Sequence, residues 1–207
     1  MDNQKGYLLV VEDNSDILRL LDTTLTFKGY RVVTARNGNE ALDVIQKERP
    51  DVIITDILMP QMDGFSLVHR LRLNPDTRDI PVVFLSATYV TPEDKSFALT
   101  LGVIQFIEKP VNFEEFLPAI EKLVKMGTTS AQTPLDETEF YTQYRKRLET
   151  KLIQKNTQIT RAEHLLETLP EEEKPAFMVS LHQSINERLE IQKLLDEIHA
   201  LMDENAK

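Results

Sequence analysis

The sequence predicts a doubly wound α/β domain over residues 1–126, followed by an all-α helical hairpin over 136–207. Three observations carry this reading. Short apolar runs alternate with amphipathic helical patterns five times before residue 126. The composition then turns polar, with Gly-Thr-Thr-Ser-Ala-Gln-Thr-Pro at 127–134 inside a linker placed at 127–135. Beyond it, apolar residues recur at helical spacing through two long segments.

Tyr7-Leu-Leu-Val-Val11 is a continuous apolar run, as expected of a strand buried on both faces. Asn14 stands where it can cap a helix whose Ile17, Leu18, Leu21 and Leu25 share one face, and Gly29 stands where that helix ends. Arg31-Val-Val-Thr-Ala35 is the second strand, and 40–48 the second helix, stopped by Pro50. Val52-Ile-Ile-Thr-Asp56 is a third strand that ends in a carboxylate. Residues 64–72 form a helix with Phe65, Val68 and Leu71 on one face, and Val82-Val-Phe-Leu-Ser86 is the fourth strand. A helix at 93–101, a fifth strand at 103–107 and a helix at 113–125 complete the series. Strands of this buried type, alternating with helices, pair in parallel through right-handed crossovers that cover both sheet faces.

The first helix of the hairpin, at 136–169, carries Tyr141, Leu148, Leu152, Ile159, Leu166 and Leu169 as an imperfect heptad stripe weakened at Lys155 and Ala162. Leu169-Pro-Glu-Glu-Glu-Lys-Pro175 breaks it. The second helix, at 175–202, carries Met178, Leu181, Ile185, Leu189, Ile191, Leu194, Leu195, Ile198 and Leu201. Two helices alone bury such stripes poorly, so a further helix, the first domain or a second chain is expected against them.

Composition bounds the function. With 41% hydrophobic and 28% charged residues the chain reads as an ordinary soluble protein, and no apolar run approaches the roughly 20 residues that span a bilayer. The polar start, Met1-Asp2-Asn3-Gln4-Lys5-Gly6, lacks the pattern of a signal peptide. There is no cysteine, which excludes disulfides, thiolate metal sites and cysteine nucleophiles and suits a cytoplasmic location. A net charge of −10 argues against a general nucleic-acid binder, because neutralising phosphates needs clustered Lys and Arg.

In open parallel sheets, ligands sit outside the carboxyl ends of the strands. Glu12-Asp13, Asp56, Ser86 and Lys109 each end or follow a different strand, so they are expected at one edge. Three carboxylates gathered there repel one another, and a hard divalent cation such as Mg²⁺ relieves the repulsion. A metal beside Asp56 prepares it to attack phosphorus and form an acyl phosphate, while Ser86 and Lys109 supply donors for the phosphoryl oxygens. An acidic pair at one strand end equally caps a helix or closes a turn. Matching residue types after four different strands favour the site.

These residues carry a family resemblance. Val-Val-Glu12-Asp13-Asn-Ser-Asp, Asp56-Ile-Leu-Met59-Pro60-Gln-Met62-Asp63-Gly64, Leu-Ser86-Ala87 and Glu-Lys109-Pro110 are similar to the motifs of the receiver domain of bacterial response regulators, across residues 7–125. The resemblance implies a flavodoxin-like sheet of order 2-1-3-4-5. It implies Asp56 as phosphoacceptor, with Mg²⁺ held by Asp13, Asp56 and the backbone carbonyl of Leu58, and by Glu12 through water. Ser86 would bind the phosphoryl group, Lys109 would pair with phosphate or Asp56, and the bond before Pro110 would be cis. Phe106 stands where the family has its switch aromatic; an ordinary half-buried strand residue is the plainer alternative. The donor would be a phosphohistidine on a sensor histidine kinase or phosphotransfer protein. The protein would be a signalling switch rather than an enzyme, remodelling the face of its fourth helix, fifth strand and fifth helix.

For the output, protein–protein interaction or homodimerisation through the C-terminal helices is the preferred expectation. From Thr128 onward there are 10 Lys plus Arg against 15 Asp plus Glu, and Arg145-Lys146-Arg147 is the sole basic cluster, so a DNA-binding regulator is kept as an alternative and no nucleic-acid partner is expected. A second alternative is phosphotransfer at His164. His164-Leu-Leu-Glu-Thr-Leu-Pro170 is similar to a histidine-kinase box but lacks the acidic residue after the histidine. His164, His182 and His199, spaced 18 and 17 apart, offer no i,i+4 pair for a metal.

Overall fold

The computed structural model describes residues 7–86, 92–127, 134–170 and 172–205. It falls into two compact units, Met1–Leu135 and Asp136–Lys207. The first is a flavodoxin-like α/β unit with β1 (Tyr7–Val11), α1 (Ser15–Phe27), β2 (Arg31–Ala35), α2 (Gly38–Lys47) and β3 (Val52–Asp56). It continues through α3 (Gly64–Leu73), β4 (Val82–Ser86), α4 (Pro92–Thr100), β5 (Gln105–Glu108) and α5 (Phe113–Met126). All strand pairs are parallel, in the order β2-β1-β3-β4-β5.

β1, β3 and β4 are buried at every position, because helices cover both faces of the central strands. On one face Leu8, Val10, Ile54, Val83 and Leu85 pack with Leu21 and Leu25 of α1 and with Phe116, Ile120 and Leu123 of α5. Local chemistry sets the helix starts. Asn14 caps α1 by accepting from Asp16 N–H at 3.0 Å and Ile17 N–H at 3.2 Å. α2 begins at Gly38, two residues before the expected start, because Asn37 accepts from Glu40 N–H while the Glu40 carboxylate accepts from Arg36 N–H. Such a reciprocal pair satisfies two otherwise orphaned donors. β5 starts at Gln105 rather than Val103. Val103 N–H is spent closing α4 onto Ala98 O, after Gly102 takes a φ of 75°, and ladder bonding resumes with Ile104 N–H to Val82 O.

The second unit consists of α6 (Glu137–Thr168) and α7 (Lys174–Asn205). Asp136 caps α6 through Glu139 N–H at 2.8 Å. Leu169 ends it in an extended conformation (φ −70°, ψ 145°), as the ring of the following Pro170 requires. The short turn sends α7 back along α6, and Lys155 Nζ meets Glu187 Oε2 at 2.7 Å. Lys155, a weak point in the apolar stripe, is thus accommodated as an ion pair across the two helices. Phe140, Tyr144, Leu148 and Ile159 of α6 and Ile191, Leu194, Leu195 and Ile198 of α7 are buried. No helix among the described residues is long and apolar enough to cross a membrane.

Candidate functional site

Parallel strands bring their carboxyl ends to one edge, and there the structure gathers the expected residues. Asp56 ends β3 and sits opposite Leu85 of β4, while Ser86 sits opposite Glu108 of β5. Oxygens of Glu12, Asp13 and Asp56 lie within 4.8 Å of one another. Lys109, just past β5, places Nζ 2.6 Å from Glu12 Oε2 and 2.8 Å from Asp56 Oδ2. Its own N–H donates to Ser86 O at 2.7 Å, so the lysine is fixed to the end of β4. The Lys109–Pro110 bond is cis.

The carboxylates differ in setting. Glu12 and Asp56 are buried, whereas Asp13 faces solvent. Ile57 N–H donates to Asp56 Oδ1 at 2.7 Å, and Asn14 N–H to Glu12 Oε1 at 3.3 Å. Burial raises the Glu12 carboxyl above its ordinary range, reinforced by Asp56 and opposed by Lys109. Burial likewise raises Asp56, against the pull of Lys109 and the Ile57 N–H, with Asp13 adding a smaller upward push. Burial alone would lower the Lys109 ammonium, but Asp56 and Glu12 outweigh it and the net shift is upward. Buried acceptors that resist carrying full negative charge, beside one exposed carboxylate, make a donor set suited to a hard divalent cation.

Leu58 is half-buried in the turn after β3. Ser86 is buried at the end of β4. Phe106, in β5, is half-buried and sets its ring edge-on to Phe84, at 5.6 Å between centroids and 76° between planes. Ala87, quoted in the sequence motif, lies outside the described residues.

One support of the site escapes a reading of residue types. Gly64 has an ordinary backbone conformation, yet a Cβ there would fall 2.4 Å from Asp56 O and 3.1 Å from Ile57 Cα. Its N–H donates to Ile57 O at 2.8 Å, so the start of α3 is laid directly on the acceptor's backbone. The adjacent Asp63 caps α3 through Phe65 N–H and Ser66 N–H. Elsewhere on α3, His69 is buried, with Nε2 3.1 Å from Leu135 O. Only the Asp63-Gly64 pair left a signal in the sequence, as the end of the motif that begins at Asp56.

Comparison with known proteins agrees with this geometry. The profile of the response regulator receiver domain matches residues 8–121. "Probable transcriptional regulator ycf27" of Pyropia yezoensis is 36% identical over 137 residues, covering 65% of this chain and 55% of its own. "Transcriptional regulatory protein KdpE" of Mycobacterium tuberculosis is also 36% identical over 137 residues, covering 65% of this chain and 59% of its own. Among solved structures, the chemotaxis response regulator CheY4 of Vibrio cholerae is 36% identical with a TM-score of 0.53, covering 57% of this chain and 98% of its own. The chain spans about half the length of the curated relatives it matches.

These names correct one expectation. Net negative charge and acidic helices led to no nucleic-acid partner being expected, but relatives such as ycf27 and KdpE are named as transcriptional regulators. Net charge averages over the whole surface, whereas contact with nucleic acid depends on a local patch, so the exclusion does not hold. The matched profile covers more than half of the chain and contains the acidic cluster, its lysine and the sheet that assembles them: the chain belongs to the response regulator receiver domain family.

Proposed function

We propose that this protein is a two-component response regulator that accepts a phosphoryl group on Asp56 from a phosphohistidine donor. The carrying observation is Lys109 Nζ bridging Glu12 and Asp56 beside Asp13, at the carboxyl edge of the sheet. Asp13, Asp56 and the Leu58 carbonyl would hold Mg²⁺, with Glu12 acting through water. When bound, the ion supplies positive charge against the phosphoryl oxygens. An Asp56 oxygen forms the new O–P bond as the N–P bond to the donor imidazole breaks, and the electron pair of that bond leaves with the imidazole. Lys109 then turns from Asp56 toward the transferred group, and the Ser86 hydroxyl donates to it. Withdrawal of Ser86 toward the phosphoryl group frees space for Phe106 to turn inward, remodelling the α4-β5-α5 face. The protein acts as a signalling switch in the cytoplasm, catalysing only its own phosphorylation and dephosphorylation.

The names of the relatives favour transcription as the regulated process, and α6–α7, which follows the receiver unit in the sequence, is read as an output element acting on it. Incubation with acetyl phosphate and Mg²⁺ tests the first step: a mass gain is expected, and it must vanish in Asp56→Asn. Salt-sensitive retention on duplex DNA, compared with and without phosphorylation, tests the transcriptional output. Retention that is absent in both states would rule out direct DNA contact.

A further inference from the structure

The first half of α7 has a composition unlike any other helix in the chain. Pro175–Asn186 contains no Asp, Glu, Lys or Arg, although 28% of the chain is charged and twelve residues would carry about three charges at that density. It is the longest charge-free stretch within any described helix. Phe177, Met178, Leu181 and Ile185 fall there within an arc of about 100° at 100° per residue, and Leu189, beyond Glu187 and Arg188, extends the arc to about 120°. None of the five is buried: Met178 is 43% and Leu189 53% exposed, and the other three are half-buried. The second half of the same helix behaves differently. Ile191, Leu194, Leu195 and Ile198 are buried, on an arc displaced from the first by roughly 100°. Met178, Leu181 and Ile185 are therefore turned away from the direction in which α7 buries its later apolar residues, while Phe177, in line with Leu195, borders it.

We infer that this stripe is a contact with a second copy of the chain, formed by two α7 helices crossing antiparallel about a two-fold axis near Leu181–Ile185. The absence of charge selects this occupant. In an isologous contact every side chain near the axis meets its own copy or a neighbour of it, so a charge there would face a like charge. A different protein would be selected by complementary charges on its rim, and Pro175–Asn186 carries none across three helical turns. The size sets the strength. Twelve residues span about 18 Å of helix, enough to bury a few hundred Å² per copy, which belongs with weak and transient contacts. A reversible, concentration-dependent dimer is therefore expected rather than a permanent one. The contact stands on the hairpin alone; only its purpose rests on reading α6–α7 as an output element.

Sedimentation of the full chain over a range of concentrations, with and without acetyl phosphate, tests the inference. The expected result is a shift from monomer to dimer with concentration, weakened at least tenfold by Ile185→Glu. Val179→Glu, 70% exposed and off the stripe, should leave dimerisation unchanged. The chain has no cysteine, so single-cysteine variants give a second readout that does not depend on tolerating a charge. Leu181→Cys should cross-link to itself with a short bismaleimide, and Val179→Cys should not. A monomer at every concentration, a dimer indifferent to Ile185→Glu, or self-cross-linking at residue 179 but not 181 would each overturn the inference. Each of these results leaves phosphorylation of Asp56 untouched, so failure here is separable from failure of the receiver reading.

Discussion

Replacing Lys109 by Met keeps much of the side-chain volume and removes the one cation held between two buried carboxylates. The ammonium lies 2.6 Å from Glu12 and 2.8 Å from Asp56, with side chains 12%, 1% and 12% exposed for Lys109, Glu12 and Asp56. Removing one partner of such a buried arrangement costs about 3–5 kcal/mol. The loss has a ceiling, because a carboxyl can take up a proton instead of staying charged and unpaired. From an ordinary pKa near 4, that uptake costs about 1.4 kcal/mol per pH unit, or about 4 kcal/mol at pH 7. Lys109→Met is therefore expected to lose about 3–4 kcal/mol at pH 7 in EDTA. The sign of the pH dependence follows from burial. Glu12 and Asp56 titrate above their ordinary range in the fold, more so without the lysine. A carboxyl whose pKa is raised on folding binds more protons folded than unfolded, so the stability gained by protonation is present at low pH and lost as pH rises through the folded pKa. The deficit of the variant should shrink as pH falls from about 7 toward 5, by up to about 1.4 kcal/mol per unit. Urea unfolding at three pH values measures it. A deficit under about 1 kcal/mol at pH 7, or one that does not change with pH, would refute the electrostatic account of the site.

Gly64→Ala drives a methyl group into Asp56 O, and backbone cannot step aside, so a loss of about 1–3 kcal/mol and slower phosphorylation are expected. Gly127→Ala, at a φ of 70° with open space around it, should cost about 1–2 kcal/mol by urea unfolding while leaving the phosphorylation rate alone. Arg72 is buried and donates to Leu101 O, Ile80 O and Gly102 O, and burial lowers its pKa to about 10. Arg72→Met strands three carbonyls and should cost about 2–4 kcal/mol by urea unfolding. Asn37→Ala removes the α2 cap and should cost about 1 kcal/mol by the same measurement.

How far the sequence could be read differs between the two units. Alternation of apolar runs and helical faces was enough for the α/β unit, because strands buried on both sides and helices buried on one leave distinct periodicities. The site was legible because each of its residues ends or follows a strand, a place the chain order itself marks. What could not be read depends on backbone approach. Nothing in the letter Gly64 tells that its Cα lies against the Asp56 carbonyl, nor that Val103 spends its N–H on closing α4. The net charge misled, since an average of −10 says little about any one surface. In α7 the stripe was visible as one series, but its division into a buried half and an incompletely buried half needed the partner helix in place.

The most direct test of the central claim localises the phosphoryl group. The full chain is treated with acetyl phosphate in Mg²⁺ or in EDTA, reduced with borohydride to convert an aspartyl phosphate to homoserine, and mapped by peptide mass. The account predicts homoserine at position 56, formed in Mg²⁺ and greatly reduced in EDTA. Modification at another residue, or at Asp56 equally in both conditions, would contradict it.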